Sequence, residues 1–69
     1  MIHKTFSDNV VWKSIHDDIK NLTVCHTGKC GTKQVKVVEG VVSYEVYINK
    51  VLKRKTDSRE EIAKYLNEL

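Results

Sequence analysis

The feature that most constrains this chain is a switch to a hydrophobic period of two. In residues 42–49, Val42, Tyr44, Val46 and Ile48 alternate with Ser43, Glu45, Tyr47 and Asn49, the pattern that gives a strand one buried and one wet face. A strand over 41–48 is therefore predicted. Glu39-Gly40 precedes it and Asn49-Lys50 follows it. Each is a two-residue connection with Gly or Asn available for positive φ, so both are expected to be hairpin turns. Counting outward pairs Val37 with Val42, Val35 with Tyr44, Ile48 with Val51, Tyr47 with Leu52 and Glu45 with Arg54. One face then collects Val35, Val37, Val42, Tyr44, Val46, Ile48 and Val51 as core. The other presents Gln34, Lys36, Ser43, Glu45, Tyr47 and Arg54 to water. A further strand over 22–25, joined through a loop from His26 to Lys29, would extend this meander.

Helices are expected at both ends of the sheet. Val11, Trp12, Ile15, Ile19 and Leu22 fall at helical spacing, with Ser7 or Asp8 placed to cap the first turn. At the other end, Thr56-Asp57-Ser58 followed by Glu60-Glu61 offers a capping box in which Ser58 meets the Glu61 amide and Glu61 reaches back. Ile62, Tyr65, Leu66 and Leu69 continue it as an apolar stripe. A chain of 69 residues is one domain. The expected architecture is thus α+β over residues 1–69: an N-terminal helix, a three- to four-stranded antiparallel meander, and a C-terminal helix packed on one sheet face.

No run of strictly apolar residues exceeds three, Val10 to Trp12, and no basic-then-apolar leader opens the chain. About 20 apolar residues are needed to cross a bilayer. The chain is accordingly expected to be soluble, cytoplasmic and free of membrane.

Candidate chemistry is sparse. Cys25, His26 and Cys30 form the one cluster of soft ligands, with His3 and His16 elsewhere. Zinc wants four ligands, this loop supplies at most three, and the spacing between the cysteines matches no usual finger pattern, so no metal or other cofactor is expected. If segments 22–25 and 30–35 paired, Cys25 and Cys30 would face each other across a four-residue loop and a disulfide would be geometrically open to them. Without an export signal, reduced thiols are the expectation. Gly28, Lys29, Gly31 and Lys33 superficially suggest a phosphate loop, but the required glycine five positions ahead of Gly28 is missing and Cys30 follows Lys29. His16, Asp17 and Asp18 read as ordinary solvated residues. The chain is read as non-enzymatic.

Charge is distributed unevenly. Residues 1–28 are neutral; residues 29–56 carry seven basic against two acidic side chains, a net of +5; residues 57–69 carry two against four, a net of −2. Lysines on a sheet can attract phosphate or an acidic protein surface, and they also keep exposed strands from pairing. Tyr47, on the wet face near Lys36 and Arg54, can stack a base or fill a partner's pocket.

The strand, strand, strand, helix order over residues 33–69, with Tyr44-Glu45-Val46-Tyr47-Ile48 before a tight turn and the capped helix after it, resembles the three-stranded sheet and helix modules of AP2 domains and of the arm-binding domains of phage-type integrases. That resemblance implies a sheet set against the DNA major groove. The chain departs from it in its helix ahead of the sheet and in its single wet-face aromatic and single wet-face Arg. The order helix, three strands, helix is also similar to double-stranded RNA-binding domains, but Asp57, Glu60 and Glu61 stand where those carry a basic cluster.

The first functional expectation is a small binding or regulatory module that holds nucleic acid on a basic sheet face through Lys33, Lys36, Tyr47, Lys50, Lys53, Arg54 and Lys55. The alternative is a small protein of the phage or mobile-element type that binds and inhibits or redirects a host protein. A third reading is a redox or metal switch at Cys25, His26 and Cys30. An exposed strand edge can also pair two copies into a homodimer.

Overall fold

A computed structural model of the chain describes residues 6–69; His3 lies outside them. Five antiparallel strands run in sequence order across one sheet: β1 (Val11–Asp18), β2 (Thr23–Cys30), β3 (Lys33–Glu39), β4 (Tyr44–Ile48) and β5 (Val51–Thr56). One helix, α1 (Arg59–Asn67), follows. The expected N-terminal helix is absent and the sheet has five strands rather than three or four.

The correction has a physical cause in β1. Trp12 pairs with Gly28 and Ser14 with Thr27, so Lys13 is an extra, bulged residue. A bulge inverts the alternation that follows it, and it brings Trp12 and Ile15 to the same side of the sheet. Their three-residue spacing, which mimics one turn of helix, is the signature of an interrupted strand. Ile19 and Leu22 complete the false helical stripe from the β1–β2 turn, where both are exposed. Asp18 fixes that turn by accepting from the Asn21 backbone N–H at 3.2 Å and side-chain amide at 2.7 Å. These bonds hold its carboxyl below the usual aspartate range, the side-chain amide contributing most. Neither Ser7 nor Asp8 caps a helix. Ser7 is buried and donates to Asn67 Oδ1 at 2.6 Å, while Asn9 Nδ2 donates to the Leu66 carbonyl at 2.8 Å. The segment ahead of β1 is thereby tied to the far end of α1.

The β3–β4 connection also departs from expectation. Glu39 pairs with Tyr44, and residues 40–43 form a four-residue loop closed by the Gly40 N–H on the Ser43 carbonyl at 2.8 Å. Val37 therefore faces Val46 and Val35 faces Ile48. The register differs by four residues from the count above, an even number, so the residues of β3 and β4 keep their faces. Val42 and Ser43 leave the strand for the loop, and Val42 stands 82% exposed instead of joining the core. Strand β3 runs on to Glu39, beside His26, whose Nε2 lies 2.5 Å from Glu39 Oε1, with Arg59 at 3.7 Å. The β4–β5 turn is the expected two-residue one, with Asn49 and Lys50 both at positive φ and Ile48 opposite Val51.

The core lies on one side of the sheet. Val37, Val46, Ile62 and Leu66 are fully buried, and Phe6, Val10, Val35 and Ile48 complete the cluster. The helix begins where the capping pattern places it: Ser58 is extended and its hydroxyl accepts from the Glu61 N–H at 3.4 Å. Glu61 does not reach back to Ser58. It accepts from the Thr56 hydroxyl, which in turn accepts from the Ser58 N–H at 3.2 Å.

Gly28 permits the inward path of the chain ahead of the bulge. A Cβ there would stand 2.7 Å from the Val11 carbonyl oxygen and 2.9 Å from Val10 Cγ1. Gly28→Ala is expected to lower stability by about 1–3 kcal/mol, the usual cost of overpacking. The measurement is urea unfolding, where the midpoint should fall at unchanged slope.

Candidate functional site

With α1 on one face, no other described element covers the opposite face of the sheet, which is bare among the described residues. Its central cross-strand row is Ser14, Thr27, Lys36, Tyr47 and Leu52, one residue from each strand in order. Beside this row an open cleft of about 810 Å³ is lined by Lys13, Lys29, Lys36 and Lys50, together with Thr27, Gln34 and Tyr47. The four lysines come from β1, β2, β3 and the β4–β5 turn. No carboxylate lines the cleft. Among the described residues, none of these lysines is within ion-pair distance of an acidic side chain.

Each lining residue has a local reason for its position. Lys13 is the bulged residue of β1, and bulges commonly re-aim a side chain. Lys29 follows Thr23, Cys25 and Thr27 by alternation on β2. Gln34 is held by a reciprocal pair of bonds: its N–H donates to Asn49 Oδ1 at 3.0 Å and its carbonyl accepts from the Asn49 N–H at 2.9 Å. That pair also fixes the turn carrying Lys50.

Tyr47 is oriented from two sides. Its hydroxyl donates to Glu45 Oε1 at 2.9 Å, and Lys36 Nζ lies 5.8 Å from the ring centroid, within cation–π range. The bond to Glu45 is the main cause that lifts the phenol above its ordinary value of 10.0, with desolvation and the carboxylate's charge adding to it. Tyr47 is therefore a neutral ring throughout the physiological range. Glu45 is in turn 3.8 Å from Lys55 Nζ and is not among the residues that line the cleft.

The cleft gathers three of the seven residues expected at a binding face: Lys36, Tyr47 and Lys50. The other four lie elsewhere. Lys55 pairs with Glu45, Lys33 begins β3 beside the Gly31-Thr32 turn, and Lys53 is an exposed bulge residue of β5. Arg54 is a correction. Its expected partner Glu45 pairs instead with Lys55, while Arg54 sits opposite Val46 on the helix side with its guanidinium 5.2 Å from the Tyr65 ring centroid. The bulge at Lys53 is the reason. Sequence reasoning missed Lys13 and Lys29. The alternation Thr23, Cys25, Thr27, Lys29 carries the signal for Lys29 once 26–29 is taken as strand rather than loop; nothing local marks Lys13.

The soft-ligand cluster does not converge. Cys25, His26 and Cys30 all lie on β2, so the two cysteines are five positions apart along one strand, roughly 16 Å. They also point to opposite faces. Cys25 is opposite His16 on the bare side, whereas Cys30 packs against the core. His26 is buried between the Phe6 ring, edge-on at 5.0 Å, and Glu39. Among the described residues no group of three or more His, Cys, Asp or Glu side chains could hold a metal ion, and none of the helices is long and apolar enough to cross a membrane.

The separation of the cysteines has a direct test. Mild oxidation of the folded chain should leave two titratable thiols per molecule and no internal disulfide by intact mass; a species two mass units lighter would show that β2 does not hold them apart.

Comparison with family models, with curated proteins and with solved structures finds no match to this chain.

Proposed function

We propose that the chain is a small non-enzymatic binding module whose bare sheet face holds the phosphate backbone of a nucleic acid. The observation that carries this reading is the cleft itself: four unpaired lysines from three strands and a turn, no lining carboxylate, and one aromatic ring among them. Lysine ammonium groups neutralise phosphates and release condensed counterions, and four such contacts give a salt slope of roughly −3 to −4 in log affinity. Tyr47 adds a flat surface on which a base can stack.

A second reading is favoured by a different surface. The β1–β2 and β3–β4 connections lie at the same end of the meander, and they expose Ile19, Leu22, Val41 and Val42, each at least 66% accessible. Clustered exposed aliphatics mark protein contact sites, which suits a small protein that docks on a host protein and inhibits or redirects it. That surface is remote from the lysines, so the two readings separate by mutation.

The test is fluorescence anisotropy of labelled DNA and RNA from low to physiological salt. Lys29→Glu with Lys36→Glu is expected to weaken binding by roughly tenfold or more at moderate salt, while Arg54→Ala and Val42→Ser leave it within about twofold, since neither side chain reaches a phosphate in the cleft. No binding at low salt, or an equal loss from Arg54→Ala, would overturn the nucleic-acid reading. In that case loss of a captured protein partner in Val42→Ser would support the second.

A further inference from the structure

Resting on the nucleic-acid reading, we infer that the cleft takes a single strand, laid across the β-strands from β1 toward β5, in preference to a duplex. Three observations carry this.

The first concerns shape. The major groove of a duplex, about 12 Å wide, is read by an element that protrudes into it, a helix or a convex β-surface. The helix of this chain covers the opposite face of the sheet, and the lysines line a recess rather than a ridge. A duplex can touch the rim of such a recess with one backbone but cannot enter it.

The second concerns the cations. The chain has two arginines, and both are occupied on the helix side: Arg54 over the Tyr65 ring, and Arg59 4.0 Å from the Phe6 ring centroid and 3.7 Å from Glu39. Every cation in the cleft is therefore a lysine, a point charge that suits a phosphate. The bidentate fork that reads guanine in a duplex is missing from this face.

The third concerns Tyr47. Its ring lies in the middle row of the sheet, between Lys36 and Leu52, with the lysines around it. An aromatic in that position gains a partner only from an unpaired base, because bases in a duplex already stack on one another. Neighbouring strands are about 4.8 Å apart, so cations drawn from β1, β2, β3 and the β4–β5 turn follow a strand of on the order of four nucleotides, at the short end of what small sheet domains cover.

The experiment compares a labelled 12-nucleotide oligothymidylate, a 12-base-pair duplex and polyglutamate as competitors at one low salt concentration. The expected result is at least about tenfold preference for the single strand over both others, a salt slope near −2.8 for four single-strand contacts, and affinity that stops rising once oligothymidylates exceed about six nucleotides. Tyr47→Ala should cost roughly tenfold on the single strand and leave the duplex unaffected. Tyr47→Phe, which keeps the ring and loses the bond to Glu45, should restore the preference and so separates stacking from a loss of fold. Duplex binding equal to or tighter than single-strand binding, or polyglutamate competing equally, would overturn the inference while leaving an anion-binding cleft in place. Failure of all three polymers to bind would instead overturn the reading beneath it.

Discussion

The structure depends on one buried cluster, in which Ile62 and Leu66 of α1 join Val37 of β3 and Val46 of β4, four side chains with no solvent exposure. A helix of nine residues cannot cover a five-stranded sheet, so burial is concentrated over β3 and β4. Phe6 and Val10 extend the cover from the segment ahead of β1. The rest of the sheet is held mainly by backbone pairing, with β5 exposed along most of its length. The other face carries mostly polar side chains, with Leu52 and Val11 exposed among them. The binding surface proposed above is the part of the sheet that the core does not need.

Two bulges, one on each edge strand, decide which cations reach that surface. The bulge at Lys13 adds a lysine to the cleft; the bulge before Arg54 takes an arginine away from it and stacks that group on Tyr65. Each bulge also breaks the regular ladder of an edge, and with the lysines of β1 and β5 this disfavours addition of a further strand, the route by which two copies would pair through a sheet edge. The same kind of local irregularity thus shapes both the edges of the sheet and its lysine-bearing face.

What the sequence made legible follows from which signals are local. The Asn49-Lys50 turn, the Ser58 cap and the buried parity of Val35, Val37, Val46 and Ile48 are properties of adjacent residues, and they hold in the structure. Parity survived even where the register was four residues out, because an even shift keeps faces. The false helix over 11–22 arose because a one-residue insertion in a strand produces the spacing of three that also marks a helix turn. Whether Lys13 is such an insertion depends on its partner strand, and Gly28, the residue that lets the chain ahead of the bulge approach β2, lies fifteen residues away. The cleft was partly visible for the same reason. Lys36 and Tyr47 sit on a strand with a clean alternation and a known turn, whereas Lys29 lies on a strand whose Thr, Cys and Gly residues carry little period.

Lysines on sheets have an ordinary explanation, protection of exposed edges, and it accounts for part of this molecule. Lys13 lies on β1, and Lys53 and Lys55 on β5, the two edges. It does not account for Lys29 and Lys36, which stand on the interior strands β2 and β3 where both neighbours are already paired. Like charges gathered on one face are destabilising unless something neutralises them. Glu45, a carboxylate on the same face, is committed to the Tyr47 hydroxyl and to Lys55, and Asp18 is bound to Asn21 in the β1–β2 turn. Among the described residues no carboxylate answers the positive charge of the cleft, the arrangement expected of a surface whose counter-charge is supplied by a ligand.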